Sequence, residues 1–170
     1  MCIRDSFTTG APGSAWLPAQ SANDGLEWRD LQVLECNVDD LNPELWDVVM
    51  ERLLEAGALD VWLSPIQMKK NRPAQQLGVL CAPSEQAVLL EVILKETTTL
   101  GVRVAPVRRA AMAREMRTVQ TSFGAIAVKV ARWDKVGLER AIPEYEDVKQ
   151  LAHSTGVPAR EIYQAALKAL

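Results

Sequence analysis

The feature that most constrains this chain is the order in which its apolar residues change period between residues 31 and 108. Two-residue alternation puts Leu34, Cys36 and Val38 on one face and predicts a strand over residues 31–38. Spacing of three and four then takes over at Leu45, Val48, Val49, Leu53 and Ala56, the stripe of an amphipathic helix. Asn42 can cap that helix, Pro43 suits its first turn and Gly57 follows its end. A second strand follows over residues 60–68, where Pro65 implies an edge position or a bulge. Residues 69–73 read as a loop, and a third strand over 76–82 alternates at Leu77, Val79 and Cys81. A second helix, capped by Ser84, carries Val88, Leu89, Val92 and Ile93, and a fourth strand spans 102–108. The order β-α-β-β-α-β is the split βαβ pattern of a ferredoxin-like, α+β fold. Residues 114–121 and 125–133 then read as a β-hairpin around Ser122-Phe123-Gly124. Two helices complete the chain, one opened by Pro143 and one starting at Pro158. Residues 1–30 show no period, are punctuated by Gly10, Pro12, Gly13 and Pro18, and read as a linker or the remnant of an upstream domain. Residues 31–170 form the folded unit, divided into a ferredoxin-like part (31–109) and a hairpin with helices (110–170).

This topology predicts where polar groups meet. With strand order 4-1-3-2, strands one and two point the same way. Asn37, Asp39 and Asp40 at the end of the first then share an edge with Lys69, Lys70, Asn71 and Arg72 at the end of the second. The second helix returns to that edge with Thr97, Thr98 and Thr99, and the first helix starts there with its positive end. Lysines and an arginine neutralise phosphate oxygens, and threonine hydroxyls and helix-start amides add hydrogen bonds to them. Asp39 and Asp40 offer the hard oxygens that Mg²⁺ or Mn²⁺ takes alongside a nucleoside triphosphate. The expected ligand is therefore a metal–nucleotide complex, with no catalytic residue assigned.

Every one of these groups also has a plainer explanation. Asp39 and Asp40 favour a helix N-terminus, as do Glu144, Glu146 and Asp147 after Pro143. The Lys69–Arg72 run suits a solvated loop, and Thr97 to Thr99 suit a frayed helix end. His153, the only histidine, reads as a surface residue. A net charge of −3 and five scattered tryptophans argue against a nucleic-acid partner. No apolar run is long enough to span a bilayer, and the N-terminus lacks the apolar region of a signal peptide. Three cysteines without zinc or redox spacing point to a reducing cytoplasm, with Cys36 and Cys81 as core residues.

Five blocks carry a family resemblance. Residues 37–44 (NVDDLNPE) resemble the signature NIDDMNPE of the LarC family, the nickel-insertion proteins of nickel-pincer cofactor synthesis. Residues 50–60 (MERLLEAGALD), 65–73 (PIQMKKNRP), 96–103 (ETTTLGVR) and 143–147 (PEYED) are similar to that family in the same order. The resemblance covers residues 31–170, whereas residues 1–30 match poorly and 134–142 depart from the family pattern. It implies a CTP-binding C-terminal domain, working with Mn²⁺ or Mg²⁺. The whole protein would be a lyase-class cyclometallase that transfers Ni²⁺ into pyridinium-3,5-bisthiocarboxylic acid mononucleotide for lactate racemase. It further implies an N-terminal domain as partner, a homo-oligomer, and a fragment that binds CTP without inserting nickel by itself. The alternative is a non-enzymatic ferredoxin-like module for ligand sensing or oligomerisation, with the lysine-rich loop as a solvated rim. Nucleotide-dependent stabilisation requiring a metal separates the two.

Overall fold

The computed structural model describes residues 24–170. They form an α+β structure of six strands and four helices. The strands are β1 (Leu26–Val38), β2 (Asp60–Met68), β3 (Arg72–Cys81), β4 (Arg103–Thr121), β5 (Gly124–Trp133) and β6 (Leu138–Pro143). The helices are α1 (Trp46–Glu55), α2 (Gln86–Glu96), α3 (Tyr145–Thr155) and α4 (Ala159–Lys168). The sheet order is β2-β3-β1-β4-β5-β6, with every neighbouring pair antiparallel. Its first four strands thus have the expected 4-1-3-2 arrangement, and β2 is an edge strand, which accommodates Pro65.

Two apolar clusters hold the structure. Leu34, Cys36 and Val38 of β1 and Leu77, Val79 and Cys81 of β3 pack against Trp46, Val49 and Leu53 of α1 and Leu89 and Ile93 of α2. Burying each large aliphatic side chain of this set contributes roughly 1.5–3 kcal/mol. The second cluster joins Val119, Ile126, Val128 and Val130 to Val148 of α3 and Ile162 and Ala166 of α4. Register pairs Val104 with Leu34 and Val119 with Ile126, and alternation along β4 gives these two residues opposite faces. The two helix pairs therefore cover opposite faces of the sheet, one at each end of this long strand.

Several boundaries differ from those expected. β4 is continuous over 19 residues, so strand four and the first hairpin strand are one element. The intervening residues stay extended because β1 begins at Leu26 and pairs Leu26–Asp30 with Met112–Arg108. Part of the segment expected as a linker is thus sheet, while residues 1–23, including Cys2, lie outside the described residues. β6 is an unexpected strand, and Pro143 ends it rather than opening a helix. Ser84 does not cap α2: its hydroxyl donates to Glu85 at 3.0 Å, and a 3-10 turn (Pro83–Glu85) precedes the helix. Asn42 caps not α1 itself but the 3-10 turn (Pro43–Leu45) that leads into it, its Oδ1 accepting from the Glu44 amide at 3.2 Å. Leu45, Val48 and Val88, expected inside, are exposed. Among the described residues no helix is long and apolar enough to cross a membrane.

Gly57 lies just beyond α1 at φ +98, the left-handed conformation that closes a helix without a β-carbon penalty. Two of the three acids after Pro143 are tied to the sheet, while Glu146 pairs with Lys149 of its own helix at 3.4 Å. Asp147 accepts from the Ala127 amide at 2.8 Å, and Glu144 pairs with Lys129 at 2.9 Å. That part of the PEYED block thus secures α3 to β5.

Candidate functional site

β1 and β2 both run antiparallel to β3, so their C-terminal ends share one rim. β4 starts at that rim, with Arg103 opposite Glu35. Three distant segments make side-chain contact there. Arg72 Nη1 lies 3.0 Å from Asp39 Oδ2. Thr98 donates its hydroxyl to Asp40 Oδ1. Arg103 Nη2 donates to Asn37 Oδ1 at 2.9 Å and its Nε sits 3.7 Å from Glu35. The convergence expected from topology alone is present as geometry.

The remaining expected site residues divide. Thr97 spends its hydroxyl on the Ile93 carbonyl at 2.7 Å, closing α2, and Thr99 donates to the Gly101 carbonyl at 3.0 Å. Only Thr98 of the three reaches a rim carboxylate. Asn71 accepts from Gln67 Nε2 at 3.0 Å. Lys69 and Lys70 are exposed and form no hydrogen bond or ion pair with the described residues, so both ammonium groups stand available to an anion. They sit in a 3-10 turn (Lys69–Asn71) rather than an open loop, and Arg72 and Pro73 already belong to β3.

That turn is conformationally costly. Lys70 holds φ +61 and Asn71 φ +60. Asparagine tolerates this region, whereas lysine loses about 1–2 kcal/mol there to the contact of its β-carbon with the backbone. Lys70→Gly removes the contact but adds about 0.5–1 kcal/mol of chain entropy. Its melting temperature is therefore expected to equal or slightly exceed that of the unchanged chain. A clear drop on thermal denaturation would show that the lysine side chain itself holds the turn.

Beside the rim, on the helix-covered side of the sheet, is a cleft of about 580 Å³. Val38, Leu41, Pro43 and Trp46 line one side and Pro65, Gln67, Pro73 and Gln75 the other, with Asp39 at its edge. The sequence-based site omitted this cleft and Arg103. A signal existed for both. Arg103 ends the ETTTLGVR block. The inward faces of β2 and β3 change from Val61, Leu63, Leu77 and Val79 to Gln67 and Gln75 as they approach the rim.

Cys36 lies directly beneath this arrangement, 1 % exposed. Burial pushes its thiol pKa up, partly offset by a hydrogen bond with Thr99 and the Arg103 charge. It is a neutral core group, as expected for both Cys36 and Cys81, which are free and buried.

The donor set bears on the expected metal. Among the described residues no three or more His, Cys, Asp or Glu side chains are grouped to hold an ion. Asp39 and Asp40 each engage one oxygen, with Arg72 and Thr98. Two carboxylates do not make a protein-only cage, but they fit Mg²⁺ or Mn²⁺ carried by phosphate oxygens and water.

Comparison with known proteins agrees with the blocks above. The family described as nickel insertion protein matches residues 9–163, so the match starts well before residue 31. A pyridinium-3,5-bisthiocarboxylic acid mononucleotide nickel insertion protein of Thermotoga sp. (strain RQ2) is 43% identical over 138 residues, 81% of this chain and 34% of its own. The protein of the same description from Alkaliphilus metalliredigens (strain QYMF) is 41% identical over 148 residues, 87% of this chain and 34% of its own. This chain spans about a third of the length of these curated relatives. Among solved structures it is similar to apo LarC2, the C-terminal domain of a cyclometallase involved in the synthesis of the NPN cofactor of lactate racemase. The TM-score is 0.79 and the identity 44%, over 84% of this chain and 98% of that one. A Methanopyrus kandleri protein, 23% identical with a TM-score of 0.64, covers 86% of this chain and 91% of its own, and shares the fold.

Proposed function

The chain belongs to the nickel insertion protein family, and from that premise we propose that it is the C-terminal, CTP-binding domain of a nickel insertase. The whole protein would load nickel into pyridinium-3,5-bisthiocarboxylic acid mononucleotide, a lyase-class cyclometallation that completes the cofactor of lactate racemase. The observation that carries this reading is the rim itself. Asp39–Arg72 and Asp40–Thr98 join segments 33 and 58 residues apart, next to two lysines with no partner among the described residues, in a fold similar to LarC2.

In this reading Lys69, Lys70 and Arg72 hold the triphosphate, with Asn71 keeping the turn in register through Gln67. Asp39 and Asp40 face the accompanying Mn²⁺ or Mg²⁺, which neutralises phosphate charge when bound. Thr98 orients Asp40, while Thr97 and Thr99 shape the helix end that presents it. Nickel is the cargo, delivered with an N-terminal domain of the same protein and in a homo-oligomer, in the cytoplasm. This domain by itself binds the nucleotide and does not insert nickel. The exposed lysines also suit the alternative, a solvated rim on a non-enzymatic module.

A thermal-shift series with CTP, UTP, ATP and GTP, each with and without Mn²⁺, tests the proposal. At a ligand concentration a hundredfold above Kd, binding adds about 2.7 kcal/mol. For a chain of this size that raises Tm by roughly 5–10 °C. The expected result is such a shift with CTP and metal together. No shift with any nucleotide would favour the non-enzymatic module.

A further inference from the structure

We propose that a second oxyanion site lies along the middle of β4, where Arg29, Arg109 and Arg114 converge to hold the phosphate of a mononucleotide. Naming a mononucleotide rests on the nickel-insertase reading, whereas the cationic hollow itself does not.

β4 carries five arginines, Arg103, Arg108, Arg109, Arg114 and Arg117, against one acid, Glu115, in a chain of net charge −3. Three of the five are engaged. Arg103 holds Asn37 and Glu35, and Arg117 pairs with Glu115. Arg108 sits 3.5 Å from Asp30 and 4.7 Å from the centre of the Trp28 ring. Arg109 and Arg114 are exposed and form no hydrogen bond or ion pair with the described residues. These two line one small hollow together with Glu27, Arg29 and Ala111.

Register builds the hollow. Arg29 lies opposite Arg109 and Glu27 opposite Ala111 across β1 and β4, so the four occupy adjacent positions on one face. Arg114 follows just past Leu26–Met112, the last pair between these strands. No β4 residue from Val104 to Thr118 belongs to either apolar cluster, so core packing does not account for this grouping.

Like charges directly opposite on neighbouring strands destabilise a sheet. Glu27, 3.9 Å from Arg29, offsets only one of the three guanidinium charges and leaves two. A phosphate monoester carries about −1.5 to −2 at neutral pH. Guanidinium forks also match its oxygens two at a time. Arg109 is six residues along β4 from Arg103 of the rim, about 20 Å in an extended strand. The two sites are therefore separate, and a ligand can occupy each at once. The rim takes the nucleoside triphosphate, and the hollow takes the single phosphate of the mononucleotide substrate.

The test is calorimetric titration of the full chain, first saturated with CTP and Mg²⁺. The probes are pyridinium-3-carboxylic acid mononucleotide, its riboside lacking the phosphate, and inorganic phosphate. The mononucleotide is expected to bind at least about tenfold more tightly than either of the others. Arg109→Ala and Arg114→Ala should each weaken it about tenfold and leave the affinity for CTP unchanged. Melting curves verify that both variants fold, and Arg109→Ala, which relieves the repulsion with Arg29, should not lower Tm. A riboside binding as tightly as the mononucleotide, or an unchanged mononucleotide affinity in both variants, would overturn the site. Inorganic phosphate binding as tightly would overturn the mononucleotide as its ligand. If CTP binds and the mononucleotide does not, the hollow falls and the rim stands. If CTP does not bind while the mononucleotide binds and is lost in Arg109→Ala, the hollow stands and the rim reading falls.

Discussion

Gly78→Val is expected to destabilise the domain by about 3 kcal/mol, the upper part of the range for overpacking a closed core position. Gly78 is buried on β3, between β1 and β2. A β-carbon there would lie 2.2 Å from Trp62 Cε2 and 2.4 Å from Cζ2. Register places Trp62 directly across from Gly78, so the indole occupies the volume a side chain would need. Propensity alone points the other way, since valine favours strands and glycine weakens them by roughly 0.5–1 kcal/mol. The steric term decides the sign because the opposing object is a rigid ring. The mechanism has its own control. In a Trp62→Ala background the further cost of Gly78→Val should fall below about 1 kcal/mol, the coupling expected of two residues in contact. Urea denaturation of the four chains measures it, and equal costs in both backgrounds would show that the indole is not the obstacle.

Arg72→Ala is expected to cut the affinity for CTP with Mn²⁺ by ten- to a hundredfold. A hydrogen bond from a charged donor contributes about 1.5–3 kcal/mol, which is that range of Kd. The same substitution should change folding stability by less than about 1 kcal/mol, because the Asp39 pair is solvent-screened, with Arg72 58% exposed. This contrast identifies a ligand-holding residue. Arg72→Lys keeps the charge and loses the two-pronged geometry, so it should fall between the two. Unchanged affinity in Arg72→Ala would remove the arginine from the triphosphate site. A loss of stability matching the loss of affinity would assign it a structural role.

The part of the fold legible in the sequence is the part written as burial on one face. Leu34, Cys36, Val38, Leu77, Val79 and Cys81 announce their strands because the inward face is apolar and dry. The strand order that follows from these periods places Asp39, Asp40, Arg72 and Thr98 at one rim. Arg108 to Met112 and Leu26 to Asp30 announce nothing, because their side chains are largely half-exposed or exposed and follow no clean period. They are strands because their backbones pair with each other. β6 is hidden for the same reason: its Glu139 and Arg140 read as a polar loop, while Arg132 donates to Glu139 across the strands at 2.6 Å.

The sequence by itself therefore determined the period of each core element, the order of the first four strands and the composition of the rim. Tertiary structure alone decided that Thr98 and not its neighbours reaches a carboxylate. It also set Trp62 over Gly78 and brought Pro65, Gln67, Pro73 and Gln75 together along one side of the cleft. Periodicity records which face of an element meets the core. Hydrogen bonding between exposed backbones, and the meeting of side chains from separate strands, depend on register and twist, which no local pattern states.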